Sequence, residues 1–513
     1  MPSLAEPLMA APALELRARE TEALKGAAAA SAENGAAAAA APPAPMPAVM
    51  YYFICVAAGA NLLFGFENSI ISGARTAYAA ETGLDVHGAA YGFLSSALPA
   101  GATVACLFAG FFQELLGRRR TLALCCAAYV AAALVSFLSA SYLQLAAGRV
   151  LTGLSIGVFS STAPMYIAEL SPPAQRGQLV TVNQVCICTG VLLGYLASAV
   201  VPAQWRVQLI CAAPLAVVLC GVFLFAMPFS PRWLMTKGRE EEARAVLERL
   251  RAGEAPAAIA AELDGIREAC ASMGGAGAGA RVWAKLRERH VVWSITIGVV
   301  AATMQQWSGV NAVNMYTSDV FKAAGFSGSL LTQLPILIGV AKLVFVIVAL
   351  ALMDRVGRKP LLLVGCAGMV FSLAALGFAL RPSPVPRDLG ILATASLCLY
   401  MAFFEVSLGP VLWLLLSELF PLQVKGFAMG VGSFTCWLFT CVVSQVFSSM
   451  SAPDALGEAG SFFFFAACCA ASFVWIFFFV FETKGKSLEQ IEAELRQIAG
   501  SWEAVPSKDE DAA

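Results

Sequence analysis

Four amide side chains lie within ten residues of an otherwise apolar stretch, MQQWSGVNAVNMY, residues 304–316. They are Gln305, Gln306, Asn311 and Asn314. An amide in hydrocarbon is costly unless it is hydrogen-bonded, yet amides can replace the water around the hydroxyl groups of a polar solute. On a regular helix Asn311 would point away from Gln306, but Ser308 and Gly309 allow the helix to unwind between them. The stretch therefore predicts a broken helix that lines a solute cavity, with hydrogen bonding between helices as the alternative for these amides.

The elements that would position these amides are membrane-spanning helices. Of the 513 residues, 59% are hydrophobic and 13% are charged, and the mean hydropathy is +0.74. Twelve apolar runs reach about 18 residues or more, and in lipid only helices satisfy the backbone hydrogen bonds of such runs. The runs are 48–72, 89–113, 120–141, 143–168, 178–201, 206–228, 291–317, 327–353, 360–380, 390–416, 421–447 and 460–481. We therefore predict an all-α membrane protein with twelve transmembrane helices.

The links between the predicted spans differ in charge on alternate sides. The cation-rich links contain Arg118, Arg119, Arg120, Arg176, the stretch 229–290, Arg355, Arg358, Lys359, Lys425, Lys484 and Lys486. The cation-poor links contain Arg75, Arg206, Lys322, Arg381 and Arg387. By the positive-inside rule both termini are cytoplasmic, and we expect the plasma membrane rather than an internal membrane. The net charge of −1 gives no reason to expect a nucleic-acid partner.

The charged stretch 229–290 divides the predicted spans into six and six. It has a helical period in EEEARAVLERL and AAIAAELDGIREAC, which indicates an amphipathic helical linker at the cytoplasmic membrane surface. We predict helical bundles at 48–228 and 291–481 on either side of it. The Ala-rich segment 1–47 cannot bury a core and is predicted to be a disordered cytoplasmic tail, and 482–513 is predicted to be a second cytoplasmic tail.

Two pairs of motifs recur in the same order in the two halves. QELLGRRR at 113–120 corresponds to MDRVGRKP at 353–360, and in each an acid stands three residues before a glycine that precedes two cations. PMYIAELSPPAQRG and WLLLSELFPLQVKG each place a glutamate seven residues before a cation and a glycine. The recurrence predicts an internal duplication and cytoplasmic salt-bridge clasps that gate the halves, with topology and helix capping as the alternative. The predicted gating residues are Glu114, Arg118, Arg119, Glu169, Arg176, Asp354, Arg355, Arg358, Glu418 and Lys425.

Metal and catalytic chemistry have little support in the sequence. Fourteen of the 15 cysteines lie within predicted spans and read as small buried hydrophobic residues, and the other is Cys270. The two histidines, His87 and His290, lie at span ends without the spacing of a metal site or of a nucleophile–base pair. We therefore expect no metal, no cofactor and no enzymatic activity.

Eight motifs follow one another between about residue 50 and residue 495. They are GFENSIISGA (65–74), GRVLTGLSIG (148–157), PMYIAELSPPAQRG (164–177), PFSPRWL (228–234), QQWSGVNAV (305–313), DRVGRK (354–359), GPVLWLLLSELFP (409–421) and FETKGKSLEQIE (481–492). Together they resemble the sugar porter branch of the major facilitator superfamily. The resemblance implies two six-helix bundles, alternating access and a hexose-sized site between the halves. The expected substrate is a monosaccharide or polyol, and the expected form is a functional monomer among membrane lipids.

The resemblance also implies which side chains contact the sugar. Besides Gln305, Gln306 and Asn311, the matching positions are Gln184, Glu405, Trp413 and Trp437. Two positions depart from the family pattern, because its sugar-binding asparagine in the eighth span falls on Lys342 and an amide in the eleventh span falls on Cys436. A lysine in mid-span is expensive and rarely idle. Lys342 pairs with a counter-ion, for which Glu405 is the candidate, or is neutral, or binds an anionic substrate group, and we predict that it alters substrate choice.

Energy coupling is implied at Glu67 in the first span. Proton-coupled sugar porters have an aspartate at this position, paired with an arginine of the fourth span, here Arg149, whereas facilitative carriers commonly have asparagine. An acid opposite a permanent cation can bind and release a proton as its access to solvent changes. The resemblance thus implies proton symport. A static Glu67–Arg149 pair, an uncoupled uniporter and a non-transporting sugar sensor remain as alternatives.

Overall fold

The computed structural model describes residues 47–172, 175–273, 284–381, 384–420, 424–486 and 488–501, and within them all regular secondary structure is helical. The first half contains α1 (Ala48–Thr82), α2 (Ala89–Phe137), α3 (Tyr142–Leu170), α4 (Arg176–Val200), α5 (Trp205–Ile210) and α6 (Ala213–Phe225). The linker contains α7 (Pro231–Thr236), α8 (Glu240–Leu250) and α9 (Pro256–Met273). The second half contains α10 (Arg289–Trp307), α11 (Val310–Ala323), α12 (Leu330–Val356), α13 (Arg358–Ala379), α14 (Arg387–Val406), α15 (Pro410–Leu419), α16 (Lys425–Met450) and α17 (Gly457–Phe479), and α18 (Leu488–Ser501) follows. The predicted tail 1–47 lies outside the described residues apart from its last residue.

The helices occupy the twelve predicted spans. Ten helical segments of the described chain are long and apolar enough to cross a membrane. One of them, α2, covers two predicted spans, because Gly117 interrupts it with a non-helical φ of 78° and ψ of 160°. The remaining span, predicted at 291–317, is divided into α10 and α11. The spans predicted at 206–228 and 390–416 are likewise divided, into α5 and α6 and into α14 and α15.

Glycine brings α1 and α4 into backbone contact. A Cβ atom on Gly65 would collide with the carbonyl oxygen of Ile187, and one on Gly190 would collide with that of Leu62. Small residues at such positions allow spanning helices to pack closely, which replaces the hydrophobic driving force that lipid removes. The contact holds α1, which carries Glu67, against α4, which carries Gln184.

The linker helices form a small hydrophobic cluster of their own and contact the ends of the spanning helices. Trp233, Leu247 and Leu263 are buried in this cluster. The Trp233 indole N–H donates to the carbonyl oxygen of Glu114 at 3.0 Å, and Arg251 donates to the carbonyl oxygen of Leu170 at 3.0 Å. We call the end of the bundle at which these contacts lie the linker face, and the opposite end, where α1 ends and α2 begins, the loop face.

Candidate functional site

The helix that carries the amides breaks at Gly309. The first part, α10, ends at Trp307, and α11 begins at Val310. Gly309 has a φ of 90°, and a Cβ atom there would lie 2.8 Å from the ring of Phe465. Only glycine meets both conditions without strain. The break predicted from the sequence is therefore present.

Three of the four amides form one hydrogen-bonded chain. The Gln306 amide nitrogen donates to the side-chain oxygen of Gln305 at 3.1 Å, and the Asn311 amide nitrogen donates to the side-chain oxygen of Gln306. Asn68 of α1 donates in turn to Asn311 at 3.2 Å, which extends the chain into the first half. The buried side-chain oxygen of the fourth amide, Asn314, has no hydrogen-bond partner among the described residues. The break thus brings Gln305, Gln306 and Asn311 together and leaves Asn314 out.

The same chain is anchored to other helices of the second half. Gln305 donates to the carbonyl oxygen of Leu408 at 2.6 Å, in the interruption between α14 and α15. Thr440 of α16 donates to Gln306 at 2.9 Å. The Cys436 thiol accepts a hydrogen bond from Gln306 at 2.9 Å, so the cysteine keeps an acceptor at the position where the family pattern has an amide. Asn311 therefore reaches the junction of the halves at Asn68, and Gln305 and Gln306 join helix to helix within the second half in this state.

A buried ion pair lies beside this chain, between α12 and α14. The Lys342 Nζ atom is 2.5 Å from Glu405 Oε1, and the two side chains are 4% and 0% exposed. Gln184 of α4 donates to Glu405 Oε2 at 3.3 Å. Glu405 is therefore the counter-ion of Lys342, which was one of the three alternatives left open by the sequence. Through Gln184 the pair also contacts the first half.

The two tryptophans predicted at the site differ in their surroundings. Trp437 of α16 is buried, its ring centroid lies 5.0 Å from that of Phe64, and its indole N–H donates to the Ser160 hydroxyl at 3.0 Å. It therefore joins the second half to α1 and α3. Trp413 of α15 is half-buried, as are Gln184 and Ser160.

A second buried ion pair lies within the first half. Arg149 of α3 contacts Glu67 of α1 through Nη1 and Oε2, and each side chain is 2% exposed. The Tyr129 hydroxyl donates to the other carboxylate oxygen of Glu67 at 2.5 Å. Tyr129 was not among the predicted residues, because a tyrosine in an apolar run has no spacing that connects it to a residue 62 positions earlier.

At the loop face, Arg75 joins the halves in a cluster that we call the latch: Arg75, Tyr91, Tyr316 and Asp319. The Arg75 guanidinium is buried between the rings of Tyr91 and Tyr316, 4.1 Å and 3.6 Å from their centroids. It lies 2.6 Å from Asp319 Oδ2, and the Tyr91 hydroxyl donates to Asp319 Oδ1 at 3.0 Å. Arginine stacked on aromatic faces and paired with a carboxylate makes a strong cross-link. From the sequence, Arg75 is expected only as a member of a cation-poor link.

Other side chains reinforce this closure of the loop face. Ser72 of α1 donates to Ser318 of α11 at 3.1 Å, and Ser96 of α2 donates to Gln445 of α16 at 2.7 Å. Each of these bonds crosses from the first half to the second. The loop-face ends of the two halves are thus held together.

The predicted gating pairs at the linker face lie within the halves. Arg118 is 2.8 Å from Glu169, and Arg358 is 2.9 Å from Glu418. The first pair joins α2 to α3, and the second joins α13 to α15. In each half, the arginine of the first duplicated motif pairs with the glutamate of the second motif of the same half. These two contacts therefore do not hold the halves together. In this structure neither pair spans the halves, and gating by these residues stays a prediction.

The remaining predicted gating residues have varied surroundings. Arg119 donates to the carbonyl oxygen of Phe223 at 2.7 Å, and Arg355 accepts from Lys484 at its carbonyl oxygen at 2.6 Å. Glu114 contributes its carbonyl oxygen to Trp233. Lys425 is the first residue of α16. The side chains of Arg176 and Asp354 lie outside the described part of the structure.

Comparison with known proteins places the chain among carriers. A profile of the family described as "Sugar (and other) transporter" matches residues 53–495. A glucose transporter, GlcP, of Staphylococcus epidermidis is 31% identical over 459 residues, which cover 89% of this chain and 99% of that protein. A D-xylose transporter of Levilactobacillus brevis is 31% identical over 455 residues, which cover 88% of this chain and 96% of that one.

Solved structures of similar fold include those of a xylose carrier. The proton:xylose symporter XylE, bound to 6-bromo-6-deoxy-D-glucose, matches with a TM-score of 0.72 and 27% identity, over 87% of this chain and 99% of that one. A partially occluded inward-open form of XylE from E. coli matches with a TM-score of 0.72 and 26% identity, over 85% and 99% of the two chains.

Proposed function

This chain belongs to the sugar transporter family, and from that premise we propose that it carries a monosaccharide or polyol together with a proton. It is an integral membrane protein with the major facilitator fold, and it transports sugar. What we add is the binding site, the coupling residues, the orientation and the class of neutral substrate. In this proposal the substrate is moved without chemical conversion and without a cofactor, by a monomer whose neighbours are lipids.

The observation that supports the binding site is the amide chain at the helix break. The chain of Gln305, Gln306 and Asn311 reaches the first half at Asn68, and sugar hydroxyls can exchange their water for such amides. Unwound helices at mid-membrane depth are typical of substrate sites in carriers. Gln184, Trp413 and Trp437 complete the proposed site, with Lys342 and Glu405 at its edge. An aromatic face suits the apolar side of a sugar ring.

We assign this structure to the state in which the loop face is closed. The latch and the serine contacts join the halves there, whereas the two predicted gating pairs at the linker face lie within the halves. Half-buried Gln184, Ser160 and Trp413 are consistent with a cavity open toward the linker face. In the proposed cycle the latch breaks while Glu114, Glu169, Glu418 and their cations close the linker face. The positive-inside rule makes the linker face, and with it both termini, cytoplasmic, and we propose the plasma membrane as the location.

Proton coupling is assigned to Glu67. Arg149 keeps its charge throughout, so only the acid of this pair can carry the proton. Protonation removes the attraction between α1 and α3 and leaves the Tyr129 hydroxyl and the guanidinium to reorient. Because α1 also carries Arg75 of the latch, a change at Glu67 can alter the loop-face closure through the same helix.

The test is uptake by purified protein in proteoliposomes. Radiolabelled D-glucose and D-xylose are supplied with an inward proton gradient, with and without a protonophore, and empty liposomes give the background. We expect accumulation above equilibrium that the protonophore abolishes. The Glu67→Gln variant is expected to equilibrate sugar without accumulating it, whereas the exposed Glu241→Gln should behave like the wild type.

Each remaining outcome selects a different function. Uptake that reaches only equilibrium in the wild type would indicate a uniporter, and binding without uptake would indicate a sensor. A Glu67→Gln variant that still concentrates sugar would remove Glu67 from the coupling step.

A further inference from the structure

The resemblance accounts for Glu405 at a neutral-sugar site, but neutral-sugar binding gives no reason for its buried partner Lys342. Both charges are almost completely withdrawn from solvent, at 4% and 0% side-chain exposure. A buried ion pair is seldom more stable than well-packed apolar residues of the same volume, because both ions lose their hydration. Charged residues within spans more often mark the path of a substrate or ion.

The surroundings of Glu405 allow its carboxylate to change partners. Glu405 lies in the last turn of α14, just before the interruption at Ser407, Leu408 and Gly409. A Cβ atom on Gly409 would lie 3.0 Å from Glu405 Oε2, so glycine leaves the carboxylate room on that side. Lys342, in contrast, projects from the continuous helix α12.

Glu405 also accepts a hydrogen bond from Gln184, a donor that the proposed site needs for its substrate. Gln184 donates its amide N–H to Glu405, and Gln305 donates to the backbone of the same interruption. While the Lys342–Glu405 pair is formed, the side-chain amides of Gln184 and Gln305 donate to protein atoms rather than to a substrate. A substrate that displaced Glu405 from Lys342 would release Gln184 at the same moment.

We propose that Lys342 and Glu405 form a carboxylate-binding subsite, so that this transporter accepts sugar acids such as hexuronates in addition to neutral sugars. The substrate carboxylate replaces Glu405 at the Lys342 ammonium group, and Glu405 takes up one proton. This inference rests on the proposed function, because it uses the same site between the halves.

With a substrate carboxylate bound, the subsite stays electrically neutral only if Glu405 takes up that proton. The empty subsite holds one ammonium and one carboxylate and is neutral. A second carboxylate would leave a net negative charge in a buried site, which is strongly disfavoured. With a proton on Glu405, the site holds an ammonium, the substrate carboxylate and a neutral acid, and is neutral again. Transport of a sugar acid should therefore move one proton more per cycle than transport of a neutral sugar.

The experiment compares D-glucuronate with D-glucose in the same proteoliposomes. Initial uptake rates of both radiolabelled compounds are measured for the wild type, for Lys342→Asn and for the double variant Lys342→Asn with Glu405→Gln. The double variant leaves no unpaired buried charge, so it tests the subsite even if the single variant does not fold. Lys322→Asn, at an exposed lysine of α11, is the matched control. A pH-sensitive dye inside the vesicles reports the protons moved with each substrate.

We expect the wild type to take up D-glucuronate with one additional proton, and we expect the double variant to lower the glucuronate-to-glucose rate ratio at least tenfold. Lys322→Asn should leave the ratio unchanged. The inference is overturned if the wild type transports D-glucose but neither transports nor is inhibited by D-glucuronate. It is also overturned if the ratio is the same in the double variant. Absence of uptake of D-glucose, D-xylose and D-glucuronate alike would instead overturn the proposed function together with this subsite.

Discussion

Two buried acid–base pairs, one in each half, resemble each other in geometry and differ in chemistry. Glu67 and Arg149 join α1 to α3, and Glu405 and Lys342 join α14 to α12. In each pair a neutral side chain donates to the acid: Tyr129 donates to Glu67, and Gln184 of α4 donates to Glu405. The cation of the first pair is permanently charged, whereas a buried lysine can lose its proton.

This difference separates the roles that the two pairs can have. All the contacts described for Glu67 come from its own half, so its protonation acts on the packing of that half. Glu405 receives Gln184 from the opposite half and lies beside the amide chain, so it is positioned to respond to the solute. Arg149 is permanently charged and always attracts ionised Glu67, which suits a proton switch. Lys342 can exchange one carboxylate partner for another, which suits a substrate-binding subsite.

Removing the acid of each pair should have the largest effect on the stability of the fold, and it tests whether the arginine pair and the lysine pair differ. In Glu67→Leu the buried Arg149 stays charged and unpaired, and we expect the free energy of unfolding to fall by about 3–5 kcal/mol at every pH. In Glu405→Leu the buried Lys342 can release its proton, so the deficit should shrink as the pH rises. The measurement is thermal unfolding of the purified protein in detergent between neutral and alkaline pH.

Glu241→Leu, at an exposed position of the linker, controls for the loss of a glutamate as such. If both core variants lost the same stability at all pH values, the identity of the cation would not distinguish the pairs.

The latch extends the comparison to an arginine pair that crosses the halves. Asp319→Asn removes the charge that faces Arg75 and should weaken the loop-face closure by about 1.5–3 kcal/mol, the usual value of a hydrogen bond to a charged group. Unlike the Glu67 variant, it should shift the balance between the two open states rather than unfold the chain. Hydrogen–deuterium exchange of the peptide covering 310–323 should become faster.

Asp388→Asn provides the control for this variant, because Asp388 is an exposed acid in the first turn of α14 at the same face. Unchanged exchange in Asp319→Asn would mean that the aromatic and serine contacts alone close the loop face.

Much of this arrangement could be predicted from the sequence because its signals are local. Apolar runs of spanning length located the helices, and the amides flanking Gly309 located the break. Asn314 lies outside the predicted sugar contacts, which include Gln305, Gln306 and Asn311, whereas the hydrogen bonds that link those three depend on tertiary packing. The interruption of α2 is confined to Gly117, so the residues on both sides of it are helical and two predicted spans follow each other without a loop.

The latch could not be predicted, since its parts are distant in the chain. Arg75 and Asp319 are 244 residues apart, and the apolar run of the first span ends at residue 72 although α1 continues to Thr82. Arg75, in that last part of α1, is buried against Tyr91 of α2 and Tyr316 of α11.

The smallest predicted effect concerns a carboxylate that lies outside the spans and is held by backbone groups. Glu482 accepts hydrogen bonds from the backbone N–H groups of Arg358 and Lys359, at 3.0 Å and 3.1 Å, at the start of α13. Partial burial raises the pKa of Glu482, but the hydrogen bonds from these and neighbouring backbone N–H groups together lower it by more. The pKa of Glu482 therefore lies below its ordinary value. The ionised acid therefore stabilises the folded state above the unfolded-state pKa of about 4.3, and this contribution is lost as the pH falls through the lower folded-state pKa. Glu482→Gln should unfold at a lower temperature than the wild type at neutral pH, and the difference should close on acidification. A constant difference would show that a carboxylate here needs no charge, in contrast with Glu67 and Glu405.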